Sequence, residues 1–119
     1  MNAAEMLQAI KSHPDYHKAG MVLCHNGVVR ATSRDGRPVS GLSVAVDPAR
    51  LEAVIDKARR TPGIVDIQVR IVENRPLEVG DDVMLLVVAG DVRENVLRTL
   101  EDTLNAIKST VTSKTEFYV

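Results

Sequence analysis

The sequence VMLLVVA fills residues 83–89 and is apolar at every position. A strand with one face in water alternates apolar and polar residues, whereas a strand covered on both faces is apolar throughout. The run therefore predicts a central strand of a β-sheet. The rest of the chain must supply the neighbouring strands and the layers that cover them.

Two further strands are expected upstream of this run. Residues 19–32 are rich in β-branched side chains around Gly27, which indicates a strand with a bulge or a close backbone approach. Residues 42–46 alternate apolar side chains with small or polar ones, which indicates a half-buried strand. Asp35 and Gly36 lie between them and favour a turn, so we expect these two strands to pair as an antiparallel hairpin.

Helices are expected on both sides of these strands. Apolar residues at helical spacing predict a first helix over residues 3–10. Asp47 is a good N-cap and Pro48 suits the first helical position, so a second helix should begin there and end near Arg60.

A third helix has the longest apolar stripe in the sequence. Its members are Val96, Leu97, Leu100, Leu104, Ile107 and Val111. Asp91 and Glu94 have the N-cap and N3 spacing of a capping box, which predicts that Asp91 is the N-cap of this helix.

The order of elements defines the expected fold class. Residues 67–71 alternate and predict another strand, and residues 112–119 suit a short final strand. We therefore expect an α+β fold, with a mainly antiparallel sheet and helices packed on one face. No repeat or linker divides the sequence, so residues 1–119 are expected to form a single domain. Because only three helices are available to cover the central strand on both faces, we also expect a homodimer.

Composition excludes several classes of protein. The chain of 119 residues carries 15 Lys and Arg against 16 Asp and Glu, which argues against a dominant nucleic-acid surface. A single cysteine, Cys24, allows no intrachain disulfide and favours the cytoplasm; its apolar surroundings predict a buried, inert thiol. No apolar run approaches the roughly 18 residues of a membrane span. There is also no glycine-rich phosphate loop, and no cofactor is expected.

Two of the three histidines have a spacing that is also found in metal sites. His13 and His17 have the four-residue spacing of helical ligands, but Pro14 between them disrupts that geometry. His25 stands apart from both. We therefore interpret all three as ordinary surface histidines and expect no metal site.

Cations at the ends of apolar elements are the remaining candidates for a site. They are Arg30, Arg34, Arg37, Arg93, Lys108 and Lys114. The helix dipole explains a cation at Lys108, near a helix C-terminus, but disfavours one at Arg93 in a first turn. Local helix energetics give no reason for Lys114, which lies beyond the helix. Convergence of such side chains would form a local anion site.

Several motifs in residues 19–118 resemble one known family. Gly27-Val28-Val29-Arg30 matches G-x-V-R at the end of a strand, and Gly36-Arg37-Pro38-Val39 matches the G-R-x-V that follows it. The segment PLEVGD at 76–81 approximates G-x-L-x-V-G-[DE], and VTSKTE at 111–116 retains a Lys and a Glu of V-P-x-W-K-K-E with one residue fewer. Val92-Arg93 retains the Arg of a His-Arg pair. These motifs resemble the large, catalytic subunit of molybdopterin synthase.

The resemblance implies a function in molybdenum cofactor biosynthesis and an α/β-hammerhead-like fold. In that family two large subunits form a central dimer within a heterotetramer. Each accepts the C-terminal Gly-Gly tail of a small ubiquitin-like subunit, whose thiocarboxylate gives sulfur to cyclic pyranopterin monophosphate and so forms the molybdopterin dithiolene. By resemblance Lys114 would be catalytic, and Arg30, Arg37, Arg93 and Lys108 would bind substrate. We expect Arg30, Arg93 and Lys114 to surround one pocket.

Departures from the family pattern leave two alternatives. Val92 replaces the family His, no Trp precedes Lys114, and the sequence ends before the second functional lysine of the family tail. One alternative is a divergent, non-catalytic homologue that keeps dimerisation and partner binding. The other is a ferredoxin-like regulatory domain that senses a small molecule, since the order of helices and strands alone would allow it.

Overall fold

The structure is a computed structural model, and it describes residues 2–119. In chain order its elements are α1 (Ala3–Lys11), a single 3₁₀ turn (Tyr16–Lys18), β1 (Met21–Val28), β2 (Val39–Val46), α2 (Pro48–Arg59), β3 (Ile64–Ile71), β4 (Leu77–Glu78), β5 (Asp82–Gly90), α3 (Arg93–Ala106), a π-turn (Ile107–Val111) and β6 (Thr112–Tyr118).

The strands form two antiparallel sheets of three strands each. The first sheet has the order β1-β5-β3, and the second has the order β4-β2-β6. The α+β class and the central place of β5 are therefore confirmed. The ferredoxin-like alternative is not supported, because it requires one continuous sheet rather than two.

Helices cover both faces of the first sheet. Along β5, Leu85 and Val87 pack against α1, whereas Leu86 and Val88 pack beneath α2 and α3. This alternation follows from the two-residue period of a strand. Thus α1 lies opposite the other two helices, rather than all three lying on one face. It also means that β5 needs no second chain to cover it, so the packing argument for a dimer was wrong.

The predicted hairpin between the first two strands is wrong. β1 pairs with β5 and β2 pairs with β4 and β6, and a single bridge between Thr32 and Pro38 joins the intervening segment to itself. β1 ends at a register shift between Gly27 and Val28, which confirms the predicted bulge. The chain then crosses to the second sheet, and the backbone N–H of Val29 donates to the Asp81 carbonyl on the way.

The second helix follows its sequence signals. The Asp47 carboxylate accepts a hydrogen bond from the backbone N–H of Arg50 at 3.1 Å, and Pro48 occupies the first turn. The N-cap prediction for α2 is therefore confirmed. Within residues 2–119, no helix combines the length and apolarity that crossing a bilayer requires.

The predicted N-cap of the third helix, Asp91, is wrong by one residue. α3 begins at Arg93, and the residue before it, Val92, provides no side-chain cap. The Asp91 carboxylate instead accepts hydrogen bonds from the Val92 backbone N–H and the Asn95 side chain. Leu97, one member of the predicted stripe, is 47% exposed, because it lies toward the solvent edge of the buried face.

The thiol of Cys24 is exposed, which contradicts the predicted burial. The residue lies in β1, an edge strand of the first sheet, where alternate side chains point away from α3. α1 packs on β3 and β5, so it leaves this outer part of the face uncovered.

Candidate anion-binding site

A cleft of about 260 Å³ lies where the two sheets meet. We call it the lysine cleft, and its lining residues are Arg34, Val44, Ile71, Val83, Met84, Lys108, Thr112 and Lys114. Its floor is formed by apolar side chains of both sheets, and its charged lining residues are all cations. An apolar floor with convergent cations is suited to a ligand that carries negative charge on an organic body.

The π-turn sets the position of Lys108. Ile107 and Val111 are buried at either end of the turn, at 0% and 4% exposure, so the residues between them face outward. The Thr110 hydroxyl donates to the Ala106 carbonyl at 2.7 Å, which satisfies one backbone acceptor at this helix end. Such wide turns often occur at functional sites. Here the turn directs the exposed Lys108 side chain along the junction of the sheets.

The second sheet sets the position of Lys114. It lies on β6 directly opposite Val44 of β2 in the antiparallel ladder, and both residues line the cleft. The final strand predicted from the sequence is therefore confirmed. The Lys114 Nζ lies 3.8 Å from Glu116 Oε1, two residues further along the same face. Part of the Lys114 charge is thus balanced within the chain.

Arg34 also lines the cleft; it was one of the six candidate cations, but the family resemblance gave it no role. It sits in the turn of residues 33–36, where the Ser33 hydroxyl donates a hydrogen bond to the Asp35 carboxylate. That hydrogen bond, with further ones from backbone N–H groups and the charge of Arg37, lowers the pKa of Asp35. Gly36 completes the turn at a φ of 88°, a conformation that favours glycine. These contacts hold the loop that carries Arg34 against the cleft.

His25 was interpreted as a surface histidine, and this is wrong. It is half-buried in β1, and its Nε2 is buried without a hydrogen-bond partner in residues 2–119. Burial, and next the charge of Lys108, lower the pKa of His25. The sequence held a signal for this, because the two-residue period of a strand places His25 on the same face as Met21 and Leu23, which pack against the core.

The remaining predicted site residues lie outside the lysine cleft. The Arg37 guanidinium stacks over the Tyr118 ring, 3.7 Å from its centroid, and Arg30 Nε donates to the Thr32 carbonyl at 2.9 Å. Arg93 is exposed at the opposite end of α3 and pairs with Glu94 at 3.7 Å. It is roughly 22 Å along the helix axis from Lys108, at about 1.5 Å per residue.

Of the five predicted site residues, one chain thus brings together Lys108 and Lys114. It does not place Arg30 and Arg93 with Lys114 around a single pocket. The roles assigned to Arg30, Arg37 and Arg93 stay predictions.

Other hollows are larger but differ in charge. One of about 510 Å³ lies between α2 and α3, and one of about 470 Å³ lies between α1 and β3. Both have acidic as well as basic lining residues, Asp102 in the first and Glu5 in the second. The lysine cleft is therefore the better site for an anion. Residues 2–119 contain no group of three His, Cys, Asp or Glu side chains placed to hold a metal ion.

A family model described as MoaE protein matches residues 1–110 of the chain. No protein of curated function matches the chain by sequence.

Solved structures share the fold. Molybdopterin synthase from Staphylococcus aureus is 23% identical over 86% of this chain and 77% of its own, with a TM-score of 0.72. Molybdopterin cofactor biosynthesis protein E from Burkholderia multivorans is 24% identical over 100% of this chain and 84% of its own, with a TM-score of 0.76. A complex of subunits 1 and 2 of molybdopterin-converting factor from Helicobacter pylori contains a chain with 22% identity and a TM-score of 0.71, covering 100% of this chain and 84% of its own.

Proposed function

Because this chain belongs to the MoaE family, the large subunits of molybdopterin synthase in molybdenum cofactor biosynthesis, we propose that its lysine cleft is the site of sulfur transfer. The sulfur donor is the C-terminal thiocarboxylate of a small ubiquitin-like subunit, and the acceptor is cyclic pyranopterin monophosphate. The product is the dithiolene of molybdopterin. We assign this activity to a single domain spanning residues 1–119.

One observation carries the proposal. Lys108 and Lys114 come from different elements, the π-turn and β6, yet they line one cleft together with Arg34. Folding has brought three cations together although like charges repel each other, and the cleft lining contains no acidic residue; Glu116, outside the lining, offsets part of the Lys114 charge. An anionic ligand would remove that repulsion. Both proposed reactants are anionic, one as a thiocarboxylate and the other as a phosphate.

Sulfur transfer requires such cations at two stages, namely binding of the reactants and breaking of the acyl carbon–sulfur bond. For each sulfur moved, the acyl carbon–sulfur bond of the tail breaks, a carbon–sulfur bond to the pyranopterin forms, and a carbon–oxygen bond of the pyranopterin breaks, with its oxygen leaving as water or staying on the opened phosphate ester. A water molecule adds to the acyl carbon, so that the tail is left as a carboxylate. Negative charge is concentrated on the acyl oxygen as the acyl carbon–sulfur bond is broken, and a fixed ammonium stabilises it. Before that, the cations hold the two anions together despite their mutual repulsion.

The two lysines differ in whether their ammonium groups are already paired with a carboxylate of the chain. Lys114, the predicted catalytic residue, is close to Glu116, whereas Lys108 forms no ion pair within residues 2–119. We propose that Lys108 is the stronger of the two anion-binding groups. Lys114 then acts on the reacting acyl group when binding of the tail draws its ammonium away from Glu116.

The proposed assembly is a heterotetramer built on a homodimer of this chain. A homologue from Helicobacter pylori is seen in complex with its small subunit, which supports docking of a small subunit here. Dimerisation is proposed from family membership alone. In such a dimer, Arg30, Arg37 and Arg93 would bind substrate if they meet the cleft of the partner chain. We place the reaction in the cytoplasm, in keeping with the single cysteine.

The test is reconstitution of product formation. The chain is mixed with a thiocarboxylated small subunit and cyclic pyranopterin monophosphate, and the dithiolene product is quantified. We expect product from the natural sequence, and a loss of about 100-fold or more for Lys114→Ala and Lys108→Ala, the size typical for removing one charge-stabilising group.

A matched control separates the cleft from lysines in general. Lys11 is exposed at the end of α1, and Lys11→Ala should leave product formation at the level of the natural sequence. Unchanged product with Lys114→Ala would remove this residue from the mechanism. Capture of the Gly-Gly tail without any product would instead support the non-catalytic homologue.

A further inference from the structure

The first sheet has two edge strands, β1 and β3, because β5 lies between them. Backbone groups on the outer side of an edge strand have no partner strand, so such an edge can accept a strand from another chain. Proteins commonly block these edges with charged side chains. The two edges of this sheet differ in that respect.

The outer edge of β3 is blocked by side chains. Arg59 of α2 donates from Nη2 to the Ile67 carbonyl at 2.8 Å, and the Ile67 N–H donates to Asp66 Oδ1 at 2.8 Å. Both backbone groups of a residue point to the same side of an antiparallel strand, so these contacts occupy the side away from β5. Arg59 and Asp66 also form an ion pair at 3.2 Å, and Arg70 Nη1 donates to the Val69 carbonyl at 2.9 Å. An incoming strand would have to displace these charged groups.

The outer edge of β1 is open. Its residues, MVLCHNGV at 21–28, include no charged residue and no proline. Within residues 2–119, no side chain forms a hydrogen bond with the backbone of this strand, and β5 is its only strand partner. In the second sheet, β4 has only two residues and β6 carries Lys114 and Glu116. Among the edges that the structure describes, β1 is therefore the long one without charge.

We propose that the open edge of β1 pairs with β1 of a second copy of this chain, which continues the first sheet from three strands to six. Two uncharged strands meet without placing like charges opposite each other, and two identical edges match in length. Because β3 is blocked in both copies, pairing stops at a symmetric dimer instead of continuing into a fibre. The interface lies at an edge of the sheet, whereas the faces of β5 are covered within one chain. The proposal rests on the proposed function in one respect, the homodimer, and adds the strand that forms it.

The register of the pair follows from the length of the open edge. The regular part of β1 runs from Met21 to Gly27, before the register shift at Val28. An antiparallel pair that uses all of it places Met21 opposite Gly27 of the second copy, and the central Cys24 opposite Cys24 of that copy. The Cα atoms of directly opposed residues are about 4.5–5.5 Å apart, within the range that a disulfide spans. Cys24 is exposed and is the only cysteine in the sequence, so its disulfide would join two copies.

The first experiment measures this register by disulfide formation. The whole chain is oxidised with copper phenanthroline, and covalent dimer is quantified on a non-reducing gel. We expect a covalent dimer from the natural sequence. The matched control combines Cys24→Ser with Asn26→Cys, which moves the thiol to the next exposed position on the same face of β1. In the proposed register its two thiols lie four positions apart, roughly 13 Å, so its dimer should form at least about tenfold more slowly. Equal rates in the two proteins would overturn the proposal.

The second experiment measures assembly without oxidation. Sedimentation equilibrium in reducing buffer should give the mass of a dimer for the natural sequence. Cys24→Lys places two ammonium groups opposite each other at the centre of the interface, so the Kd of the dimer should rise about fivefold or more. Thr115→Lys, at an exposed position of the edge strand β6, is the matched control and should leave Kd unchanged. Circular dichroism verifies that both variants are folded. A natural chain that is monomeric at every concentration, or equal Kd values for the two variants, would overturn the proposal.

The outcomes also separate this interface from the proposed function. A dimer that crosslinks through Cys24 but forms no product would contradict the proposed function and support the β1 interface. Product from a chain that neither dimerises nor crosslinks would overturn the interface alone. Hydrogen exchange identifies the remaining occupant. If the backbone amides of β1 become protected only when the small subunit is added, the edge pairs with that subunit, and the proposal is overturned.

Discussion

The two ends of α3 carry cations with different surroundings. At the N-terminal end, Arg93 points into solvent beside Glu94, and both side chains are at least 70% exposed. At the C-terminal end, the π-turn packs between the two sheets and delivers Lys108 to a cleft. The helix dipole alone predicts an anion site at the N-terminal end of α3, because it favours anions there. The cleft instead lies at the C-terminal end. Tertiary packing, rather than local helix energetics, therefore determines where cations converge in this chain.

The two ends also differ in how they are held. The C-terminal end is fixed by burial of apolar side chains, Ile107 and Val111. At the N-terminal end, burial of Val96 is supplemented by polar contacts around Asp91 and by close packing on Gly63. Loss of buried apolar groups is expected to lower stability more than loss of exposed polar contacts, whereas the contribution of the polar contacts around Asp91 should depend on pH.

Truncating the buried end should have the largest effect. Ile107 is 0% exposed, so Ile107→Ala should lower the free energy of unfolding by about 2–5 kcal/mol through lost burial and a cavity. Val92 at the other end is 49% exposed, and Val92→Ala should stay within about 0.5 kcal/mol. Urea denaturation of both variants measures the difference. Equal losses would contradict the view that Ile107 is held by burial and Val92 is not.

A methyl group at Gly63 should have the next largest effect. Gly63 has a φ of 86°, and an added Cβ would lie 2.5 Å from Asn95 Nδ2 and 2.7 Å from Asp91 Oδ1. Gly63→Ala should therefore cost about 1–2 kcal/mol of backbone strain, plus about 1 kcal/mol or more from overpacking. Gly80→Ala is the matched control, because its φ is 93° but the space around it is open. Similar losses in both variants would show that close packing at the N-terminal end adds nothing.

The smallest effect should appear in the pH dependence of the stability that Asp91 contributes at the N-terminal end of α3. Hydrogen bonds from the Asn95 side chain and the Val92 backbone N–H lower the pKa of Asp91. A carboxylate with a lowered pKa stabilises the fold above its unfolded pKa, and this stabilisation is lost as the pH falls through the folded pKa. The Tm difference between the natural sequence and Asp91→Asn should therefore be present at pH 7 and shrink below about pH 4.

A partner variant sharpens this last measurement. Asn95→Ala removes the main donor to Asp91, so the pH dependence contributed by Asp91 should become smaller in that background. A Tm difference of the same size at pH 3 and pH 7 would show that the negative charge of Asp91 does not contribute to stability.

The sequence predicted the elements better than their pairing. The apolar run of β5 and the N-cap at Asp47 are local signals, and both were confirmed. Pairing depends on contacts between distant residues. The hairpin failed because the first strand found a better partner in β5, which can accept a strand on each edge. Local turn residues at Asp35 and Gly36 do form a turn, but they do not join two strands of one sheet.

The site was predictable only in part for a related reason. Lys114 drew attention because no local effect explained it, and Lys108 because of the family resemblance. Arg34 was one of the candidate cations, but the structure was needed to place it in the cleft, and the buried Nε2 of His25 also became recognisable only in the structure. Hydrophobic periodicity was enough to predict the fold class. Predicting the cleft would have required the register of β2 on β6 and the path of the backbone through the π-turn.

The π-turn has one further consequence, which concerns insertions and deletions. A π-turn contains one more residue in each hydrogen-bonded ring than an α-helical turn, so deleting a single residue within it would restore α geometry. Five residues in the wider turn cover nearly the same rotation as four residues of an α-helix, so β6 would keep its direction after such a deletion. The segment between α3 and β6 is thus expected to absorb a gap of one residue without turning Lys114 out of the second sheet, provided that the residue lost is not Lys108 itself.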